Sequence, residues 1–150
     1  MNSSDTGYVL RTNENEKLIS DFMGDKNVFK YTTKKGDFIG YYIATNEHGS
    51  IDFEYEGINF LSYTSSYDWL MPVVDKISKV VIKGIPPFNS DQFVRVEIVP
   101  NGYINITNLR EYPIMSNVSI EGGLLNAILK AVINFVNWYN QNKEKCNTIK

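Results

Sequence analysis

A chain of 150 residues and 17.2 kDa is long enough for one domain that buries roughly two thirds of its unfolded surface without disulfides or a structural metal. Hydrophobic residues at 43% and charged residues at 21% exclude wholesale disorder and a fibrous repeat, and a formal net charge of -2 argues against a nucleic-acid binder that gains affinity by neutralising phosphates. A lone Cys146 and a lone His48 exclude an internal disulfide and a Cys/His zinc site.

Residues 1–12 are polar and without periodicity, so they are expected to fray. The N-terminus MNSSDTGYVL lacks a basic region followed by an apolar run, and no stretch of the chain is apolar enough to span a bilayer, so the expected location is cytoplasmic. From about Asn13, ENEKLISDFMG reads as a short helix with Leu18, Ile19, Phe22 and Met23 on one face and Gly24 in the left-handed closing position. Four aromatic and β-branched segments follow: VFKYTT, DFIGYYIA, IDFEYE and INFLSYT, separated by KKGD, NEHGS and Gly57. Connections this short demand antiparallel neighbours.

SSYDWLMPVVDKISKVVIKG returns to helical spacing, with Leu70, Val73, Val74, Ile77, Val80 and Val81 on one side. Ser65, Ser66 and Asp68 are its candidate N-caps, and with Asp68 as the cap Pro72 falls in the first turn, where a missing N–H costs little. FVRVEIV and YINITNL then form a hairpin through Pro100, Asn101 and Gly102. The clearest segment comes last: Leu125, Ile128, Leu129, Val132, Phe135, Val136 and Tyr139 recur at three- and four-residue steps, opposite Lys130, Asn134, Asn137 and Gln141. This predicts a helix from about Ile120 to Asn140. Strands in meandering runs rather than single alternation with helices point to an α+β fold, an antiparallel sheet of five to six strands covered by three helices, in a single domain over residues 1–150.

Chemistry is written less clearly than architecture. The phosphate-cradling GxxxxGK[ST], the dinucleotide GxGxxG and the GxSxG nucleophile turn are all missing from the sequence. His48 lies in a turn and Cys146 near a polar tail, which gives neither a partner for catalysis. Asp52, Glu54 and Glu56 alternate along one strand and so share a face that could hold a hard cation, but alternation with Ile51, Phe53 and Tyr55 reads first as a half-exposed strand with its acids in water. The chain is expected to be no enzyme and to carry no cofactor or metal.

Charge divides unevenly, with twelve acids and six bases up to Asp75 and five acids and nine bases after it. A basic face around Lys76, Lys79, Lys83, Arg95 and Arg110 would follow if these side chains gathered. The densest group of contact-forming residues is YTSSYDWLMP, where aromatic rings adjoin a helix N-terminus that offers free N–H groups to an anion. Tyr67, Trp69 and Arg95 are therefore the candidate ligand-binding residues, for a small anionic ligand such as a nucleotide.

LISDFMG, SYDWLMPVVDKI and INFVNWYNQN, taken together, resemble a group of small uncharacterised proteins encoded by bacteriophages and integrated elements of gut bacteria, in which helices ending in FMG, containing WLMPVV and ending in WYN recur in this order. The group is similar in plan to the phage sandwich domain in which helices cover a β-sheet. The matching segments span about a third of the chain and carry no catalytic residues. The resemblance bears on fold and phage origin; with it, small size, rich aromatics and the absence of a catalytic constellation point to a non-enzymatic phage accessory protein acting on the host by sequestering a small anionic signal such as a nucleotide or by occluding a host protein, with a particle component or an enzyme of unrecognised type as alternatives. The lack of a long apolar run leads to no expected membrane partner, and the chain's size leaves a monomer and a small homo-oligomer both open.

Overall fold

The computed structural model describes residues 10–51, 58–83, 92–99, 102–108, 116–120 and 122–148. The chain is α+β: three helices and two antiparallel sheets, one of two strands and one of five, among the described residues.

The first helix, α1 (Asn13–Met23), is capped by Thr12, whose side chain accepts from the Asn15 N–H, and closes at Gly24 with φ 76°, a conformation that glycine adopts without strain. Of the segment expected to fray, residues 1–9 lie outside the described residues; beyond them Leu10 is buried in the core, its carbonyl accepts from Asn15 Nδ2, and Arg11 donates to Asn126 Oδ1. Strands β1 (Val28–Thr32) and β2 (Phe38–Ile43) form the expected hairpin, closed by the Thr33 N–H on Asp37 O at 2.9 Å. INFLSYT was expected to be a strand. Among the described residues it makes a bridge from Phe60 to Tyr42 and two flanking backbone bonds, then leaves the sheet to run under α1. IDFEYE lies outside the described residues.

Helix α2 (Tyr67–Ser78) stops earlier than its apolar spacing suggests, and Val80–Ile82 forms β3 instead. Val80 and Ile82 are buried with Val81 between them turned the other way, which is a strand's period of two rather than a helix's stripe. Ser66 is the N-cap, so Pro72 sits more than a turn inside α2 and deprives the Asp68 carbonyl of its helical donor.

β3 pairs with β4 (Gln92–Val99), which pairs through the expected hairpin with β5 (Tyr103–Asn108), followed by β6 (Ser116–Ser119). β7 (Cys146–Thr148) completes the order β6-β5-β4-β3-β7. The polar tail is thus an edge strand, and Cys146 is buried in it opposite Ile82.

Helix α3 (Leu124–Gln141) starts at the end of GG rather than at Ile120 and buries the stripe that the sequence shows, while Lys130, Asn134, Asn137 and Gln141 are exposed. Ala127, Ala131 and Ile133 are buried as well, because α3 packs against β5, β6, α1 and α2 at once. Phe135 is fully buried, edge-on to Phe22 and stacked with Tyr139. Its ring joins the helices into one core. α2 lies on β4, whereas α1 lies between α3 and the hairpin.

Candidate functional site

Segment 58–66 runs from the hairpin to the start of α2, and its polar groups are fastened to α1. Glu16 and Ser20 stand one turn apart on the face of α1 that also carries Ile19, so an acid and a hydroxyl interrupt an apolar stripe. Both are buried, and both have partners. The Thr64 N–H donates to Glu16 Oε1 at 2.6 Å. Ser20 Oγ donates to Asp25 Oδ2 at 2.9 Å, and Tyr63 Oη donates to the same oxygen at 2.5 Å. Burial pushes the Glu16 carboxyl up to about 7, against hydrogen bonds from Thr64 and Tyr63 that favour its charge. Burial, then the bond to Asp25, drives the Tyr63 phenol well above its ordinary range.

Two concavities flank this segment. One, of about 270 Å³, is lined by Met23, Tyr63, Asp68, Trp69 and Pro72. Trp69 is half-buried in its wall, edge-on to Tyr63 with ring centroids 5.0 Å apart. The other, of about 140 Å³, lies between α1 and β2, with Glu16, Asn13, Gly40 and Phe60 among its lining residues.

The three candidate residues Tyr67, Trp69 and Arg95 do not converge. Two steps along a helix turn a side chain by about 200°. Trp69 accordingly packs on Tyr63 while Tyr67 is 43% exposed on the other side of α2. Arg95 is exposed and lies within 3.5 Å of Glu97 on the face of β4 opposite Val94, and Val94 is buried on the side where α2 packs. The sheet separates Arg95 from Trp69.

The basic residues are dispersed as well. Lys76 Nζ donates to Phe22 O at 2.7 Å and lies over the Phe22 ring, Lys79 pairs with Asp75, and Arg110 is outside the described residues. His48 is exposed beside Glu47, and Cys146 is buried, its thiol pushed up mainly by that burial. Asp52, Glu54 and Glu56 lie outside the described residues, among which no group of three or more His, Cys, Asp or Glu gathers to hold a metal. No described helix is long and apolar enough to cross a membrane.

No family model matches the chain, and neither a curated protein nor a solved structure is detectably similar to it. Sequence reasoning found Tyr63 among the aromatics of YTSSYDWLMP but missed Glu16 and Asp25. The signal for Glu16 was its place three residues before Ile19, on the apolar side of α1. Nothing local marked its partner 48 residues away.

Proposed function

We propose that the protein is a non-enzymatic accessory protein of bacteriophage or integrated-element origin that acts in the cytoplasm of its bacterial host by capturing a small molecule with a flat ring. The observation that carries this reading is the Trp69–Tyr63 pair framing an open concavity of about 270 Å³ at the first turn of α2. An indole face beside a gap is a stacking surface for a base, and stacking of this kind contributes about 1–3 kcal/mol per base. The Ser66 side chain makes no capping bond to α2, so a phosphate of a nucleotide can take that place. Asp68 in the lining opposes an anion, so the ring rather than the phosphate supplies most of the affinity.

Titration of a Trp138→Phe variant with mono-, di- and cyclic nucleotides, read by Trp69 fluorescence and by calorimetry, tests the reading. Saturable quenching that Trp69→Phe removes supports it. No heat and no quenching with any nucleotide, with the protein folded, overturns it in favour of a second reading, occlusion of a host protein. That reading is favoured by Tyr67 and Met71, 43% and 41% exposed one turn apart on the outer ridge of α2.

A further inference from the structure

The β1–β2 hairpin ends in a tip of definite geometry. The Thr33 N–H donates to Asp37 O and the Gly36 N–H to Thr33 O, both at 2.9 Å, so Lys34 and Lys35 occupy the two corners at the apex. Gly36 has φ 88°, the left-handed conformation that closes a turn of this length. Behind the apex the register slips: Tyr31 pairs with Gly40 but Thr32 with Phe38, which makes Ile39 the extra residue of a bulge. The bulge breaks the alternation of faces, and both neighbours reach solvent, Phe38 at 40% and Ile39 at 50% exposure. Asn13 Nδ2 donates to Ile39 O at 3.3 Å and so ties the bulge to α1.

The charge of the tip runs against that of the sequence around it. Up to Asp75 the chain holds twelve acids and six bases, yet three of those six bases are Lys30, Lys34 and Lys35, and Asp37 is the one acid between Lys30 and Ile39. All three lysines are exposed. Lys30 Nζ lies 5.7 Å from the Phe38 ring centroid, which sets a cation directly beside the apolar pair. A surface that is anionic outside and apolar just beneath complements both features, and a leaflet containing anionic phospholipid is such a surface. Phe38 and Ile39 stand on a convex tip rather than in a groove. A bilayer accepts a convex apolar wedge without a shaped pocket, which a protein partner has to supply.

We infer that the β1–β2 tip docks on an anionic phospholipid surface, with Lys30, Lys34 and Lys35 at the headgroups and the Phe38 and Ile39 side chains at the boundary with the acyl chains. Surface contact of this kind needs no membrane-spanning helix. Two small apolar side chains or three lysines alone give weak, reversible attachment, so the two signals act together. The site is independent of the Trp69 concavity, whose lining shares none of these residues.

The experiment is co-sedimentation of the full chain with sucrose-loaded vesicles, of phosphatidylcholine alone or mixed in equal parts with phosphatidylglycerol. The mixed vesicles bind the protein at least about tenfold more tightly than the neutral ones, and raising salt from about 0.1 to about 1 M releases it. Lys34→Glu with Lys35→Glu weakens binding by about tenfold or more, and so does Phe38→Ser with Ile39→Ser. These four side chains are exposed, so thermal midpoints stay close to that of the unaltered protein, and the lipid and salt comparisons need no variant. Equal binding to neutral vesicles, no binding to mixed vesicles at millimolar lipid, or undiminished binding by the folded Phe38→Ser, Ile39→Ser variant overturns the inference. Soluble polyglutamate that binds as tightly as the mixed vesicles also overturns it, in favour of an acidic protein partner.

Discussion

Thr64 and Glu16, 48 positions apart, meet where the Thr64 N–H donates to Glu16 Oε1 at 2.6 Å inside the protein. This bond fastens segment 58–66 to α1, and the burial of the carboxyl, which outweighs the bond, gives stability a pH dependence of definite sign. Glu16 titrates near 7 folded and near its ordinary 4.5 unfolded, so the folded state holds the proton more tightly. The contribution is fully present below about pH 4.5 and lost as pH rises through about 7. The unfolding free energy from urea titrations should therefore fall between pH 5 and 8, by at most about 3 kcal/mol for this group. Glu16→Gln should flatten that slope. A slope equal to wild type in Glu16→Gln would assign the pH dependence elsewhere.

Tyr63 and Ser20 share one acceptor, Asp25 Oδ2, so their contributions should not add. Tyr63→Phe removes a hydrogen bond to a charged group and should cost about 1.5–3 kcal/mol. In a double-mutant cycle with Ser20→Ala, the pair should deviate from additivity by about 0.5 kcal/mol or more. Simple additivity would mean that the two hydroxyls act apart, contrary to their common oxygen.

Phe135→Ala should cost about 3–5 kcal/mol, because the ring is fully buried and meets Phe22, Trp138 and Tyr139 at centroid distances of 6.2, 5.8 and 6.3 Å. A thermal midpoint unchanged in this variant would remove α3 from the centre of the core.

The stripe that contains Phe135 was legible in the sequence because a helix writes its packing face locally, at steps of three and four residues. α1 and the β1–β2 and β4–β5 hairpins were legible for the same reason, since caps and short turns are local signals. β3 and β7 were not. Each has three residues: β3 is a strand because it lies between β4 and β7, and β7 because it finds β3 across more than sixty positions, a pairing that the polar tail around Cys146 does not announce. Val80 and Val81 fit a helical stripe as well as a strand, and the sheet decides between them. The candidate site divides in the same way. Trp69 and Tyr63 were visible as aromatics around a helix start, whereas their edge-on contact, the segregation of Arg95 to the far face of the sheet and the burial of Glu16 all depend on tertiary placement.

Cys146 offers the last test, because its environment differs from what a lone cysteine in a polar tail suggests. The side chain is buried in β7 opposite Ile82 and belongs to the core. Burial raises its thiol, and Glu144 adds to that, while Lys145 and Lys83 pull in the other direction. Little thiolate is therefore present at neutral pH, and access is closed unless β7 lifts away. A thiol-specific disulfide reagent at pH 8 should modify the folded protein at least about tenfold more slowly than the urea-unfolded chain, at a rate set by local opening of the edge strand. Cys146→Ser places a hydroxyl among apolar groups and should cost about 1–3 kcal/mol. His48→Ala, on an exposed turn, should change stability by less than about 0.5 kcal/mol. Both substitutions together should leave the biological effect intact. A double variant that folds normally yet has lost that effect would show that one of these groups performs chemistry, and the non-enzymatic reading would have to be abandoned.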